Sequence, residues 1–309
     1  MQTPIVQFQN LYKNFGKKQV IKDLSFDVYP GEVFGFLGPN GAGKTTTIRM
    51  MLGLIKMTAG DVLVEGISVN SDFEKAITHV GGIVENPELY QFMTGYNNLK
   101  LYARMHEGVT DERIMALVKQ VGLEHRINDK VKTYSLGMRQ RLGLAQALLH
   151  DPKIIVLDEP TNGLDPAGIK EFRNYLRNLA ATENVAVMVS SHILSEMELM
   201  CDRYGIIQNG ELVDVRMVGQ QDLSSESIKI IIAAKPMAKA GEIMSAMAEG
   251  TSMKVQVNST TLEIMAHHEQ VPGIIKTLVN GDVAIYEVKL DQKTLEDHFI
   301  ELTGGGEIE

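Results

Sequence analysis

Gly38-Pro39-Asn40-Gly41-Ala42-Gly43-Lys44-Thr45 is the stretch on which the reading of this chain turns. It follows the apolar run Val33-Phe34-Gly35-Phe36-Leu37 and precedes Thr46 to Leu54, which is compatible with a helix, so the local order is strand, glycine-rich loop, helix. Glycines at these positions let successive backbone N–H groups face one anionic group, and the N-terminus of the following helix adds positive potential. Lys44 then reaches the terminal phosphates of a nucleotide and Thr45 offers a hydroxyl to Mg²⁺, with Thr46 beside them in the nucleotide-contacting set. Alone, the motif specifies a nucleotide binder.

Ile154-Ile155-Val156-Leu157-Asp158-Glu159 supplies a second half. An apolar strand ending in two carboxylates sets Asp158 to hold Mg²⁺ through water and Glu159 near an attacking water, whose proton a general base would accept. Buried strands ending in acids are common. The pairing with an upstream phosphate loop is what makes the pattern hydrolytic.

Working outward, Ile5, Val6 and Phe8, then Leu24, Phe26 and Val28, alternate about the turn Asn14-Phe15-Gly16-Lys17, which predicts an antiparallel β opening. From Asn86 to about Lys132 the signal is helical. Thr110 is suited to cap a helix with Asp111 and Glu112 in its first turn, while Ile114, Leu117, Val118 and Val121 share one face. Ile154 to Leu157, a helical Ala167 to Leu179 and Val185 to Val189 read as a parallel βαβ unit, so the core is α/β.

Beyond Val218 the polar run Gln220 to Ser227 reads as a linker, giving domains 1–218, with a helical insertion at about 86–134, and 219–309. The remainder reads as strand (Ile228 to Ile232), helix (Met237 to Met247), strands (Met253 to Val257 and Thr261 to Met265), helix (Gln270 to Leu278), strand (Val283 to Leu290) and a short helix from Thr294. That order is the split βαβ of a small α+β, ferredoxin-like domain. Thr303 to Glu309 is expected to be a frayed tail.

The 309 residues are 44% hydrophobic and 22% charged, with a net charge of -9, the balance of a folding globular chain without a phosphate-backbone-binding surface. Nucleic acid is not an expected partner. The single cysteine, Cys201, and an N-terminus without a basic start and apolar core point to a reducing cytoplasm. No stretch approaches the roughly 20 continuous apolar residues of a membrane-spanning helix.

Between the two chemical motifs lies Tyr134-Ser135-Leu136-Gly137-Met138-Arg139-Gln140-Arg141, and here the chain resembles the ABC ATPase family, whose signature is leucine-serine-glycine-glycine-glutamine. Ser135 and Gly137 match it; Tyr134, Leu136 and Met138 depart, so the resemblance does not extend to a contact by the glutamine side chain. The resemblance runs in order over about the first 218 residues. It implies an ATP-hydrolysing subunit that works with separate transmembrane subunits, and a homodimer or pseudo-dimer that sandwiches two ATP molecules. Ser135 and Gly137 would then clamp the γ-phosphate on the partner's phosphate loop. Gly163-Leu164-Asp165-Pro166 resembles the D-loop that communicates across that dimer, and His192, after Ser190-Ser191, the switch histidine that bonds the γ-phosphate and orients water. Phe15 resembles the aromatic that stacks on adenine. A core aromatic is its plainer reading, and Tyr12 is a nearby competitor.

Glu85 follows Val80-Gly81-Gly82-Ile83-Val84, where most of the family carries a glutamine that touches Mg²⁺ and senses the membrane subunit; a carboxylate is a harder oxygen ligand for the same ion. Glu85-Asn86-Pro87, Tyr90, Thr94-Gly95-Tyr96, Thr294-Leu295-Glu296-Asp297 and Glu301-Leu302-Thr303-Gly304 resemble the bacitracin and lantibiotic self-protection exporters, bacterial drug or peptide efflux systems at the cytoplasmic face of the membrane. The aromatics Tyr90, Phe92 and Tyr96 are then expected to receive a short helix of the membrane subunit; packing the domain's own core is the alternative. A soluble ABC ATPase acting on nucleic acid or ribosomes would be marked by long heptads, zinc-type cysteines or a second phosphate loop, and none is present. A non-catalytic module is opposed by the intact Lys44, Asp158 and Glu159. The C-terminal domain is read as dimer or structural support.

Overall fold

The computed structural model describes residues 2–218, 228–251 and 253–291. The chain divides into two compact units that part after Val218. The linker expected at Gln220 to Ser227, the helix from Thr294, the strings Thr294 to Asp297 and Glu301 to Gly304, and the tail from Thr303 lie outside the described residues.

The first unit opens with the antiparallel pair β1 (Val6–Phe15) and β2 (Lys18–Val28), joined at Gly16. The tight turn puts Gly16 at φ 59, a left-handed conformation that costs glycine little. After β3 (Val33–Leu37) come α1 (Lys44–Met51), β4 (Ala59–Val64), β5 (Ile67–Ser68), α2 (Phe73–Ile77) and β6 (Val80–Ile83). Strands β1, β2, β4 and β5 form one sheet in the order β2-β1-β4-β5. Its inward rings Phe8 and Phe26 stack at 4.1 Å between centroids, and Phe26 in turn stacks on Phe34 and Phe36 of β3. Alternating burial along β1 and β2 against this aromatic layer is what holds the antiparallel sheet on β3, each fully buried ring contributing roughly 1.5–3 kcal/mol.

The helical stretch follows: α3 (Gly95–Ala103), α4 (Asp111–Gln120) and α5 (Leu136–Ala147). The Thr110 hydroxyl caps α4 by accepting from the N–H of Arg113, and Ile114, Leu117 and Val118 are its buried face, as the spacing predicts. Then come β7 (Ile154–Asp158), α6 (Pro166–Glu183), β8 (Ala186–Ser191), α7 (Leu194–Met200), β9 (Arg203–Gln208) and β10 (Glu211–Met217). The central sheet has the order β10-β9-β3-β8-β7-β6, parallel throughout except where β10 returns antiparallel on β9. Every residue of β3, β7 and β8 is buried, as expected of parallel strands covered on both faces.

Helix bounds differ from the sequence reading by one to four residues, and two cases have a clear physical reason. The first helix begins at Lys44 rather than Thr46, because the phosphate loop itself supplies the N-cap at Gly43, and it stops at Met51, short of Leu54. The helix read from Ala167 runs from Pro166 to Glu183, started by the cap of Asp165 and the fixed φ of Pro166 and ended by Asn184 in the left-handed region.

In the second unit β11 (Ile228–Lys235), α8 (Met237–Ala248), β12 (Lys254–Val257), β13 (Thr261–Ala266), α9 (Val271–Asn280) and β14 (Ala284–Asp291) follow in order. The sheet is antiparallel, in the order β12-β13-β11-β14. Ile230, Ile232, Leu262 and Ile264 meet Ala240 and Met244 of α8 and Ile274 and Leu278 of α9 in one core. Its helices cover one face of the sheet, which follows from the period-two burial of β11 and β13.

Candidate nucleotide-hydrolysis site

Three parallel strands deliver the chemical residues to one edge. Leu37 of β3 is level with Ser191 of β8, and Ser190 of β8 is level with Asp158 of β7. The loop after β3, the acids ending β7 and His192 just past β8 therefore emerge side by side at the carboxyl ends of the strands, where open α/β sheets place their ligands.

The loop Gly38 to Thr45 is tightly seated. A Cβ on Gly38 would stand 2.4 Å from the carbonyl oxygen of Ile207, whereas Gly41, at φ 79, faces open space. Gly43, at φ 116, caps α1 and has room for no side chain beside Ile21. Among the described residues nothing accepts from the backbone N–H groups of Gly43, Lys44, Thr45 and Thr46, the orphan donors of a helix start. Pro39 and Asn40 form the crest of the loop, and the N–H of Ala42 closes it by donating to the carbonyl of Pro39 at 3.1 Å. Lys44 is buried, and its Nζ donates to the carbonyl of Gly38 at 2.5 Å and lies 3.4 Å from Oε1 of Glu159. A buried cation folded over a ring of unpaired N–H groups fits the phosphates of ATP.

Asp158 is 1% exposed, and its Oδ1 accepts from the hydroxyl of Ser190 at 2.6 Å. The same hydroxyl accepts from the N–H of Glu159 at 3.0 Å. Glu159 sits at φ 50, a conformation that non-glycine residues adopt at a cost and that recurs at functional sites. Its Oε2 lies 2.9 Å from Nδ1 of His192. Lys44, Glu159 and His192 thus converge, while Asp158 and the hydroxyl of Thr45 supply the oxygen types Mg²⁺ takes beside nucleotide phosphates. Ser190, which sequence reading passed over within Ser190-Ser191-His192, ties the two acids together. Only its register beside Asp158 reveals it.

A second cluster lies in a cleft of about 390 Å³ lined by Ser135, Leu136, Gly137, Gly163, Leu164 and Asp165. Ser135 caps α5 by accepting from the N–H of Met138 at 3.2 Å, leaving its hydroxyl proton to donate. Asp165 caps α6 by accepting from Gly168 at 3.1 Å. A Cβ on Gly137 would have only Leu164 within reach, at 3.7 Å, so the cleft floor is backbone.

Phe15 is 51% exposed at the end of β1, with Nζ of Lys13 4.7 Å from its ring centre, so the core-aromatic alternative does not describe it. Tyr90 and Phe92 are also exposed and pack edge to face at 5.9 Å, while Tyr96 is half-buried. The backbone at Tyr90 and Thr94, on either side of Phe92, is held by buried Asn98, whose side chain accepts from the N–H of Tyr90 and donates to the carbonyls of Tyr90 and Thr94. Asn98 carries no sequence signal, since its value lies in three backbone partners brought together by folding. Glu85 is largely exposed, and its carboxylate pairs with Arg49. Among the described residues no helix is long and apolar enough to cross a membrane.

Comparison with known proteins agrees with this geometry. The family model described as ABC transporter matches residues 21–162. The chain is 52% identical over 300 residues to YhcH of Bacillus subtilis, an ABC transporter ATP-binding protein, covering 97% of this chain and 96% of the relative. It is 36% identical over 305 residues to the bacitracin transport ATP-binding protein BcrA of Bacillus licheniformis, covering 98% of this chain and 99% of that one. A solved ATP-binding subunit of an ABC transporter superposes with a TM-score of 0.62 at 28% identity, over 69% of this chain and 90% of that chain. The phosphate loop, the paired acids, the signature helix and these relatives make one conclusion: the chain belongs to the ABC transporter ATP-binding proteins, and is an ATPase subunit whose hydrolysis is coupled to transport.

Proposed function

We propose that this subunit powers a bacterial exporter of drugs or antimicrobial peptides, with Glu159 as the general base of ATP hydrolysis. The convergence of Glu159 on both Lys44 and His192 carries the reading. Lys44 and the N–H groups of Gly43 to Thr46 bind and orient the phosphates, excluding loosely held water from the γ-phosphate. Glu159 takes the proton of the attacking water, and His192 holds its carboxylate and, through that bond, the water's direction. Mg²⁺, when bound with ATP, neutralises phosphate charge; Thr45, Asp158 and Glu85 would hold it. Phe15 would stack on adenine.

Ser135, Gly137 and Asp165 line one surface cleft that holds no phosphate-loop residue. In this reading they close over ATP on a second copy, so that hydrolysis requires a dimer and opening follows product release. Export of drugs or peptides is supported by likeness to relatives named for bacitracin, lantibiotic and linearmycin systems. The exposed pair Tyr90 and Phe92 supports docking of a membrane subunit at the cytoplasmic face. The second unit, with helices on one face of an antiparallel sheet ordered β12-β13-β11-β14, is assigned ferredoxin-like topology and a role in supporting the dimer.

Steady-state ATPase activity of wild type and Glu159→Gln with Mg²⁺, with oligomeric state recorded with and without ATP, tests this reading. Turnover by wild type with an inactive mutant that forms an ATP-dependent dimer is expected. A mutant as fast as wild type would remove Glu159 as the base.

A further inference from the structure

An ion pair not used by the hydrolysis reading joins the phosphate-loop helix to the segment after β6. Nη2 of Arg49 lies 2.6 Å from Oε1 of Glu85. Arg49 is the basic residue of the last turn of α1, and Glu85 leaves β6 in a left-handed conformation at φ 61. The same turn is fixed at its other end by packing: Pro87 sits against Gly143 of α5, where an added Cβ would come within 2.5 Å of the proline ring. Residues 85–87 are therefore tied on one side to the helix that follows the phosphate loop and on the other to the helix that Ser135 begins.

Strand register adds a second constraint. Ile83 is level with Leu157, so the chain leaving β6 runs beside Asp158 and Glu159. Glu85 is thus on the edge of the sheet where the acids emerge, yet its carboxylate is engaged by a guanidinium. We propose that Arg49 is a positioning residue that holds the Glu85 carboxylate in reserve, so that Glu85 reaches nucleotide-bound Mg²⁺ only when the Arg49 pair opens and frees the 85–87 turn. The proposal rests on the reading of Glu85 as a metal-contacting residue.

The exposure of the pair is what suits it to exchange. Arg49 and Glu85 are 42% and 64% exposed, so water and salt screen their attraction and neither charge has been stripped of solvent. A doubly charged cation beside phosphate oxygens competes with such a pair, whereas a buried pair would be a fixed strut. The left-handed backbone at Glu85 adds a bias toward release, since a non-glycine residue relaxes when its anchor is removed.

Two measurements on the full chain test this. In the nucleotide-free protein, amide hydrogen exchange over residues 84–89 should be faster in Arg49→Gln than in wild type, with Arg49→Lys, which retains the charge, close to wild type. Separately, Mg²⁺ is titrated against retention of a non-hydrolysable ATP analogue in wild type, Arg49→Gln, Glu85→Ala and the double variant. Arg49→Gln should lower the half-saturating Mg²⁺ by about 1.5- to 5-fold, the range an exposed ion pair supplies. Glu85→Ala, which removes the oxygen ligand, should raise it, and Arg49→Gln should then have no further effect. Unchanged exchange in Arg49→Gln, or the same Mg²⁺ shift with and without the Glu85 carboxylate, overturns the role of Arg49. A Glu85→Ala variant with wild-type Mg²⁺ dependence instead removes the metal reading of Glu85, and the proposal with it. Equal thermal unfolding midpoints across the set establish that the variants fold.

Discussion

Nδ1 of His192 stands 2.9 Å from Oε2 of Glu159, although the two residues leave different strands and lie 33 positions apart. The contact fixes a carboxylate that also faces Lys44, so the imidazole orients the base. His192→Ala should lower the ATP turnover number by about 10²-fold, the low end of what positioned acid–base groups contribute, while leaving ATP binding nearly unchanged. Single-turnover hydrolysis beside equilibrium nucleotide binding separates the two. An equal loss in both would make His192 a binding residue.

Phe15 offers an exposed ring at the end of β1. Phe15→Ala should weaken ATP binding by about 1–3 kcal/mol, roughly 5- to 150-fold, the range measured for base–aromatic stacking. Turnover at saturating ATP should persist, and Tyr12→Ala should have the smaller effect. A reversed order, read by nucleotide titration, would transfer the adenine contact to Tyr12.

Tyr90 and Phe92 are exposed at 45% and 71%, and the backbone on either side of Phe92, at Tyr90 and Thr94, is held by Asn98. Replacing both with serine should leave the thermal midpoint and the ATPase rate of the isolated subunit within about twofold of wild type, since surface changes of this kind cost little. Transport by the assembled exporter, measured as resistance of cells carrying it, should fall. Loss of folding would return the pair to a core role.

His150 links stability to pH. Its ring stacks on His106 at 4.4 Å and its Nε2 contacts the carbonyl of Val80, and burial, followed by the His106 neighbour, holds its pKa below the ordinary histidine value. The folded chain therefore takes up a proton less readily than the unfolded chain, so stability is lost as pH falls through the unfolded value near about 6.5 and continues to fall toward the depressed folded value. The thermal midpoint of wild type should drop more between about pH 7.5 and about pH 5 than that of His150→Gln. Parallel curves would exclude His150 as the group responsible.

Much of the site could be read from the order of residues. A phosphate loop is a local device: glycine spacing, a lysine and a helix start act over eight consecutive positions, so Gly38 to Thr45 carries its meaning without knowledge of the rest. The strand ending in Asp158 and Glu159 is local in the same sense, and the apolar runs of β3, β7 and β8 announce a buried parallel sheet through their lack of alternation. A helix start was legible where the cap is a side chain at Thr110, whereas the Asp165 cap set the start of α6 one residue before the reading. The start of α1 was displaced because its cap is the backbone of Gly43, which leaves no side-chain signature.

Sequence by itself determined the fold class, the nucleotide chemistry and the identity of the acids, because each depends on residues close together in the chain. Tertiary structure alone decided that Ser190 bridges Asp158 and Glu159, that Asn98 holds the backbone of Tyr90, and that Arg49 engages Glu85. These are pairings between residues 8 to 36 positions apart. Their strength comes from strand register and helix packing, and a hydrogen bond between distant residues exists only once the chain has fixed the few ångströms that separate them.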